Sequence, residues 1–237
     1  MQEFNVNFDF RIDSKCGDPD TDSRKLYEIH KILWSKKLPN EDLLIIDIQG
    51  NNRLLLRNNL CMNLSSDRMC PHFSEKYNNK FDPWLSELER EQLMYKVRTM
   101  GGHIIFPAHK HKGLTINQAR GIHPQIGDRF DLTLECIRRF YINESNPLSA
   151  ILSNYKFFFD LFVDFEGYIN FFLLQDFINS QGQVHFSLPF DDFKSPPFPL
   201  NASEYKSYKS HIINLIDKRN KRISEYMKFA IKKITTT

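Results

Sequence analysis

Alternation of apolar and polar residues predicts short β-strands in the first half of the chain. Residues 4–10 alternate in this way, and the ranges 43–48 and 53–57 are two further candidate strands. Between those two ranges, the Gly-Asn-Asn segment 50–52 is typical of a tight hairpin turn. A fourth strand is expected within 101–107, after a turn made of two glycines.

Apolar residues that recur at helical spacing predict two helices among these strands. The spacing places one helix over 23–35 and a second over 84–99. Asp82 and Pro83 are expected to open the second helix, because they supply an N-cap and a first-turn proline. Gly101 is expected to end it.

The second half of the chain is predicted to be mostly helical. Apolar spacing and capping residues place its helices over 128–141, 146–162, 164–180 and from residue 203 onward. A strand is expected over 183–190, and the three prolines within 195–199 cannot continue it.

These elements together predict an α+β fold, with mixed strands and helices first and a long helix at the end. The chain has no internal repeat and no low-complexity linker. One compact domain over 1–237 is therefore favoured. The alternative subdivision separates a mixed α/β part, 1–127, from a mainly helical part, 128–237.

The composition is that of a soluble globular protein. Of 237 residues, 41% are hydrophobic, and 32 Lys and Arg stand against 29 Asp and Glu. The longest uncharged run of the most apolar region, 167–175, has nine residues, whereas a membrane span needs about 20. The four cysteines form no Cys-x-x-Cys pair, which argues against a zinc site. We expect a cytoplasmic protein with reduced thiols and no membrane partner.

The region 155–177 contains ten aromatic residues. Aromatic rings can stack on nucleic-acid bases, but here they alternate with Leu and Ile at helical spacing. The region is therefore predicted to be core.

The segment 92–127 has no Asp or Glu, yet it holds five Lys or Arg, four of the eight histidines and five of the nine glycines. Glycine lets the backbone approach a ligand, and basic side chains favour phosphate. The segment is either an anion or nucleic-acid site or a solvated basic loop. In the first case the phosphate-binding residues would be Lys110, Lys112, Arg120 and Arg138. His109 and His111 alternate with lysines that would repel a cation, so no metal site is predicted.

Charged side chains of the predicted helix 128–141 gather opposite its apolar stripe, and Asp128 is expected to cap it. Asp131, Glu135 and Arg138 are spaced for ion pairs along a solvent-facing ladder. The alternative makes one of these carboxylates a general base that faces the basic segment, with a histidine of that segment as its partner. The candidate catalytic residues are His103, His123, Asp131 and Glu135.

The last segment, 201–237, carries nine Lys and Arg against three Asp and Glu, although the whole chain has a net charge of only +3. A basic amphipathic helix over 203–233 suits RNA, DNA or an acidic protein partner. An ordinary surface helix with positive charge near its C-terminus explains the same pattern.

Several longer motifs extend over most of the chain. They are GGHIIFP at 101–107, TINxARG at 115–121, DRFDLTLECIRR at 128–139, FFLLQD at 171–176 and PFDDF at 189–193. In these motifs the chain resembles an uncharacterised bacterial family of unknown function. The resemblance implies a bacterial, intracellular, single-domain protein, and it supplies neither an activity nor catalytic residues.

Two functions from different classes follow from the residues. The first is an intracellular bacterial protein that binds, and as an enzyme processes, a nucleic acid or nucleotide. A nuclease or a nucleotide-processing transferase or hydrolase, as in toxins and phage-defence effectors, is one concrete form. The alternative is a non-catalytic interaction module that docks through its basic C-terminal helix. The residues identify no cofactor.

Overall fold

The computed structural model describes residues 5–15, 17–50, 53–57, 62–71, 73, 80–108 and 113–235. Its strands are β1 (Ile46–Gln49), β2 (Arg53–Leu56), β3 (Met62–Arg68) and β4 (His103–Pro107). Its helices are α1 (Phe10–Asp13), α2 (Pro19–Asp22), α3 (Arg24–Trp34), α4 (Glu87–Val97), α5 (Ile116–Ile122), α6 (Phe130–Tyr141), α7 (Ser149–Asn154), α8 (Lys156–Phe159), α9 (Phe165–Phe171) and α10 (Ala202–Thr235). The predicted α+β class, with strands in the first half and a long final helix, is confirmed.

The four strands form one antiparallel sheet in the order β1-β2-β3-β4. In the pairing of β3 with β4, Asp67 lies opposite Ile104 and Arg68 lies opposite His103. The residues just before β4, Met100–Gly102, form a single 3-10 turn, which is separated from the end of α4 by two residues. The end of β3, the start of β4 and the end of α4 therefore meet at one corner of the sheet.

Two of the predicted elements in the first half are confirmed closely. Helix α3 begins after Ser23, whose side chain accepts a hydrogen bond from the backbone N–H of Leu26. β1 and β2 form the predicted hairpin, with Ile46 opposite Leu56. The turn residues Asn51 and Asn52 lie outside the described residues.

The strands predicted over 4–10 and 183–190 are wrong. Val6 and Phe10 of the first segment are buried, as the alternation implies. Their backbones form single hydrogen bonds, from the Phe10 N–H to the Arg98 carbonyl and from the Met100 N–H to the Val6 carbonyl, rather than a ladder. Asp9 of the same segment is the N-cap of α1. The second segment contributes only an isolated bridge from Val184 to Ile178. In both segments apolar and polar residues alternate along the chain, but no strand of the described residues pairs with the backbone.

Several predicted helix boundaries are also wrong. Ser86 forms the capping box of α4 with Glu89, so Asp82 opens only a short 3-10 turn. Asp128 has φ of 70° and lies before α6, so it is not the cap of that helix. The helix predicted over 146–162 is divided into α7, α8 and a 3-10 turn, and α9 ends well before residue 180.

The aromatic region 155–177 lies in the core, as predicted. Phe158, Phe162, Tyr168 and Phe172 are almost completely buried and contact one another at ring-centroid distances between 4.9 and 6.5 Å. The same continuous core includes side chains from both halves of the chain. Offset and edge-to-face ring contacts of this kind stabilise a core beyond the area they bury.

Arg219 of α10 lies inside this core with no exposed surface. Its guanidinium donates hydrogen bonds to the carbonyl oxygens of Phe172 (3.1 Å), Gly101 (3.0 Å) and His103 (2.7 Å). Among the described residues no carboxylate pairs with it; its partners are these backbone carbonyls and the Met69 sulfur. Burial lowers the pKa of Arg219 to about 9. This side chain joins α10 to the start of β4 and to the aromatic region.

Candidate functional site

A cleft of about 810 Å³ opens at the corner of the sheet. Its walls come from α1, the turn into α2, the end of β3, and α4 with the residue that follows it. The charged side chains that line it are Asp9, Arg11, Asp18, Asp20, Asp67, Arg68 and Arg98. A concave surface that gathers carboxylates and guanidinium groups is a suitable binding site for a polar, charged ligand.

Helix α2 places two of these carboxylates. Asp18 is its N-cap and accepts a hydrogen bond from the backbone N–H of Asp20 at 3.2 Å, and Pro19 occupies the first turn. The Asp18 side chain is 58% exposed, whereas that of Asp20 is 13% exposed. One carboxylate therefore faces the cleft, and the other points back toward the sheet.

Asp20 is held by three side chains from distant parts of the sequence. The Nδ1–H of His103 donates to its Oδ1 at 2.9 Å, and the hydroxyl of Ser66 donates to the same oxygen at 2.8 Å. Arg98 lies 3.7 Å from Oδ2. An ionised carboxylate accepts only, so His103 carries its proton on Nδ1.

The network continues behind the cleft into the core. Trp34 donates from its indole N–H to Nδ1 of His30 at 2.9 Å, so His30 carries its proton on Nε2 and donates to Ser66 at 3.0 Å. Burial, and after it the charge of His103, lowers the pKa of His30 well below its ordinary value. The direction of every hydrogen bond from Trp34 to Asp20 is thereby determined.

The charge state of Asp20 follows from competing effects. Burial raises its pKa, but the charge and hydrogen bond of His103, the hydrogen bond of Ser66 and the charge of Arg98 outweigh it. The net result is a pKa well below the ordinary aspartate value. Asp20 is therefore a fixed negative charge at the base of the cleft at neutral pH.

Asp67 is the second carboxylate at the base of the cleft and has a different environment. Arg120 contacts it at 2.5 Å and also contacts Asp128 at 3.0 Å. Burial raises the pKa of Asp67; Arg120 opposes this effect, whereas Asp128 and Asp20 add to it, and the net direction is upward. The cleft thus contains one carboxylate with a lowered pKa and another with a raised pKa, an arrangement typical of acid–base sites.

Arg120 has no exposed surface and its guanidinium is fully bonded. Its Nε donates to Thr133, Nη1 to Asp67 and the Arg68 carbonyl, and Nη2 to the carbonyls of Met69 and Asp128. A guanidinium has five N–H donors, so none is left for a phosphate. This geometry favours a structural role for Arg120 over the predicted phosphate contact.

The predicted catalytic carboxylates of α6 are buried but already paired. Asp131 forms a two-pronged ion pair with Arg129 and accepts a hydrogen bond from the backbone N–H of Ser187 at 2.7 Å. Glu135 accepts from Arg138 and Arg139. The Glu135–Arg138 pair of the predicted ladder is therefore present, but Asp131 pairs with Arg129 instead, and both carboxylates are buried rather than solvent-facing.

The remaining predicted residues occupy different surroundings. His123 is half-buried, and its Nδ1 accepts a long hydrogen bond of 3.3 Å from the backbone of Gln125. Arg138 is 26% exposed and bonded to Glu135. Lys110 and Lys112, with the histidines beside them, lie outside the described residues. Of the eight predicted residues, His103 and Arg120 bond to carboxylates that line the cleft.

The acidic residues of the cleft and its three arginines were not among the residues predicted from the sequence. Asp18 and Asp20 lie in a Gly-Asp-Pro-Asp segment that is typical of a turn, and Asp67 and Arg68 lie on a strand. The sequence offered one indirect signal: the segment 92–127 contains His103 but no Asp or Glu, so any acidic partner of this histidine lies elsewhere in the chain. Nothing local indicates that Asp20 is that partner.

No helix in the described ranges is long and apolar enough to cross a membrane. Within those ranges, no three His, Cys, Asp or Glu side chains are grouped as a metal site requires.

The chain thus combines an α+β fold with a cleft of paired carboxylates and guanidinium groups. Residues 4–223 match a family described as a family of unknown function, DUF6994, and the chain belongs to that family. No curated protein and no solved structure matches it. The expected membership of an uncharacterised family is confirmed, and the family transfers no activity to this chain.

Proposed function

We propose that the cleft binds a nucleotide or another small phosphate ester and processes it by acid–base chemistry. The observation that carries the proposal is the position of Asp67. Its carboxyl lines the cleft together with that of Asp20, Arg68 follows it in the sequence, and its pKa is shifted upward. A carboxyl of this kind can deliver or accept a proton near neutral pH.

The arginines of the cleft provide the affinity for phosphate. Arg98 reaches the cleft with Nη1 3.4 Å from Asp18, and Arg68 lies directly after Asp67. Guanidinium groups bind phosphate oxygens, and carboxylates accept hydrogen bonds from ribose hydroxyls and base amino groups. A nucleotide carries both kinds of partner, which a mixed cleft requires.

His103 has a positioning role in this proposal. It has no exposed surface and its Nδ1–H holds Asp20, so it does not reach a substrate itself. Asp20 in turn lies 3.7 Å from Arg98. The His103–Asp20 pair therefore keeps the phosphate-binding guanidinium in place.

The proposal keeps the class of function predicted from the sequence but assigns it to different residues. Arg68 and Arg98 replace Arg120 as the residues that contact phosphate, and Asp67 replaces the carboxylates of α6 in the acid–base role. Of the described cysteines, Cys70 and Cys136 are free and buried, which suits the reducing conditions of a cytoplasm. A role in toxicity or phage defence belongs to the same proposal as one biological setting.

Ligand-dependent thermal stability tests the binding step. ATP, GTP, their mono- and diphosphates and a short single-stranded RNA are each added, with and without Mg²⁺. We expect at least one nucleotide to raise the melting temperature of the wild type, and Arg98→Met to lose that shift. Arg90→Met is the matched control, because Arg90 lies on α4, which ends just before Arg98, and pairs with Asp82 outside the cleft.

The chemical step is tested by chromatography of the stabilising nucleotide after incubation. Asp67→Asn should still bind but should form no product, since an amide cannot transfer the proton. Absence of stabilisation by every ligand, or equal stabilisation of wild type and Arg98→Met, would contradict the proposal.

The alternative is a docking function for α10. Its apolar side chains are buried in the core, but Phe229 is 62% exposed beside the exposed Lys228. The described exposed face also carries Asp217 and Glu225, so it is mixed in charge rather than uniformly basic. Fluorescence anisotropy with an acidic peptide and with RNA tests this function, and loss of binding in Phe229→Ser would support it.

A further inference from the structure

A second cleft, distinct from the proposed nucleotide site, contains an amino group enclosed by aromatic rings. The Nζ of Lys36 lies 4.5 Å from the ring centre of Tyr226, 4.6 Å from that of Phe171 and 5.0 Å from that of Trp34. The backbone of Lys36 is held on both sides, by a hydrogen bond to the Trp34 carbonyl and another from the N–H of Leu44. The amine is therefore confined to a defined position.

The amine borders a space large enough for a small molecule. The cleft has a volume of about 450 Å³, and Lys36, Phe171 and Tyr226 all line it. Gly167 forms part of the wall, where an added Cβ would collide with the Phe162 carbonyl. Leu38 and Pro39 complete its apolar lining. An accessible cleft that combines an apolar lining with a few polar groups, among them this amine, matches the usual anatomy of a small-molecule site.

The charged groups around Lys36 do not neutralise it. Glu41 lines the same cleft but pairs with Lys37 at 2.5 Å, and Lys36 forms no ion pair with a described residue. The buried cation Arg219 acts on Lys36 electrostatically, and its guanidinium lies 5.9 Å from the ring centre of Trp34, a ring that Lys36 also contacts. Burial lowers the pKa of Lys36 to about 7, and Arg219 acts in the same direction. The ring faces attract the ammonium form and act against this effect.

We propose that Lys36 is a nucleophilic amine that captures small aldehydes or ketones in this aromatic cleft as a reversible imine. The combination that supports it is a confined amine, an open apolar cavity, the absence of a carboxylate partner among the described residues and a neighbouring fixed cation. Lysines in such surroundings are the ones that form Schiff bases with carbonyl substrates. This proposal is independent of the nucleotide site.

The chemistry needs no other reactant. The lone pair of the neutral Nζ attacks the carbonyl carbon, a C–N bond forms, and the C=O π electrons move to oxygen. Two protons pass from nitrogen to that oxygen, the C–O bond breaks, and one water leaves as the C=N bond forms. Hydrolysis reverses the step, and no atom changes its total oxidation state.

The lining defines the class of ligand. Aromatic and aliphatic side chains favour a carbonyl compound with an aromatic or branched apolar body. Lys37 and Asn170 lie at the cleft as polar groups and suit a ligand with one polar end. Benzaldehyde is a minimal probe with these properties.

The experiment uses the wild-type chain, so it does not depend on the folding of a variant. The protein is incubated with benzaldehyde and sodium cyanoborohydride between pH 5.5 and 9.5, and labelled lysines are quantified by peptide mass spectrometry. We expect Lys36 to be labelled at least about tenfold faster than Lys37 at pH 7, since an amine with a lowered pKa is nucleophilic at neutral pH. Lys37 is the internal control, because it is the adjacent residue and is exposed.

Two further measurements make the result decisive. The Lys36 labelling rate should be half-maximal near pH 7, because the pKa of Lys36 in the folded chain is about 7. Lys36→Arg should lose the fast adduct, whereas Lys37→Arg should keep it. Labelling of Lys36 at or below the rate of Lys37, or a fast phase that survives in Lys36→Arg, would overturn the proposal.

Discussion

His103 donates a hydrogen bond to Asp20 across 83 positions of sequence, and the two side chains are 0% and 13% exposed. His103 begins β4, and Asp20 lies in α2, so this bond fastens an N-terminal helix to the sheet. Ser66 of β3 donates to the same carboxylate oxygen. The base of the cleft is thus assembled from three separate parts of the chain.

Asp20→Asn should destabilise the protein by about 3 kcal/mol at pH 7, because a buried charged partner is lost. The pKa of Asp20 is lower in the folded chain than its ordinary value of 3.8. Its stabilising contribution is therefore present above pH 3.8 and is lost as the pH falls toward the folded value. Urea denaturation at pH 7, 5 and 3 measures this: the difference from wild type should shrink at the lowest pH. A constant difference would show that the Asp20 charge is not what stabilises the fold.

Arg120→Met should cost about 3–5 kcal/mol in the free energy of unfolding, because Asp67 and three backbone carbonyls lose their buried partner. Arg138→Met is the matched control, since Arg138 is partly exposed. Its loss should cost no more than about 1 kcal/mol. Guanidinium denaturation of both variants makes the comparison, and equal costs would contradict a structural role for Arg120.

Gly101→Ala should destabilise the turn before β4 by about 1–3 kcal/mol. A Cβ at this position would lie 2.6 Å from the Ile216 carbonyl and 2.9 Å from Oδ1 of Asn220. That same Oδ1 accepts a hydrogen bond from the Gly101 N–H at 2.6 Å.

Gly121→Ala is the control for this prediction. Gly121 lies in α5, where a Cβ would meet no atom within 4 Å. It should therefore be neutral or should stabilise the protein by up to about 1 kcal/mol, as alanine does in helices. Thermal melts of both variants separate the two cases. Similar destabilisation by both would mean that the contact with α10 is not the cause.

Lys36→Met should raise stability at pH 6 and have little effect near pH 10. The pKa of Lys36 is about 7 in the folded chain and 10.5 ordinarily. Between these values the unfolded chain binds more protons, so wild-type stability rises with pH and the variant lacks this rise. We expect a difference of about 1–2 kcal/mol, because solvent and the aromatic rings reduce the cost of the ammonium form. Denaturation across this pH range measures it, and a pH-independent difference would contradict the lowered pKa.

The elements that the sequence predicted best have strong local signals. Helix α3 combines helical apolar spacing with Ser23 as its cap, and the hairpin of β1 and β2 combines alternation with a Gly-Asn-Asn turn. The long helix α10 was predicted from its stripe of aromatic and aliphatic residues. In each case the structure follows from residues within one or two turns of each other.

The candidate site could not be predicted in this way, because its bonds are long-range. His103 was selected from a segment without acids, and its partner Asp20 lies in an element with no helical periodicity. Arg120 was selected for its charge, but its guanidinium is buried and pairs with Asp67 and Asp128. The residue types indicated which side chains take part in the site, but only the fold shows whether the N–H donors of those side chains are available to a ligand.

Arg219 has a consequence for the order in which this protein is made. The carbonyls of Gly101, His103 and Phe172 are synthesised early, yet their common donor arrives more than forty residues after the last of them. A ribosome-bound chain that ends before α10 would therefore contain β4 and the aromatic region but lack the guanidinium that donates hydrogen bonds to the carbonyls of both. The hydrogen bonds that join β4 and the aromatic region to α10 can therefore form only after residue 219 has been added to the chain.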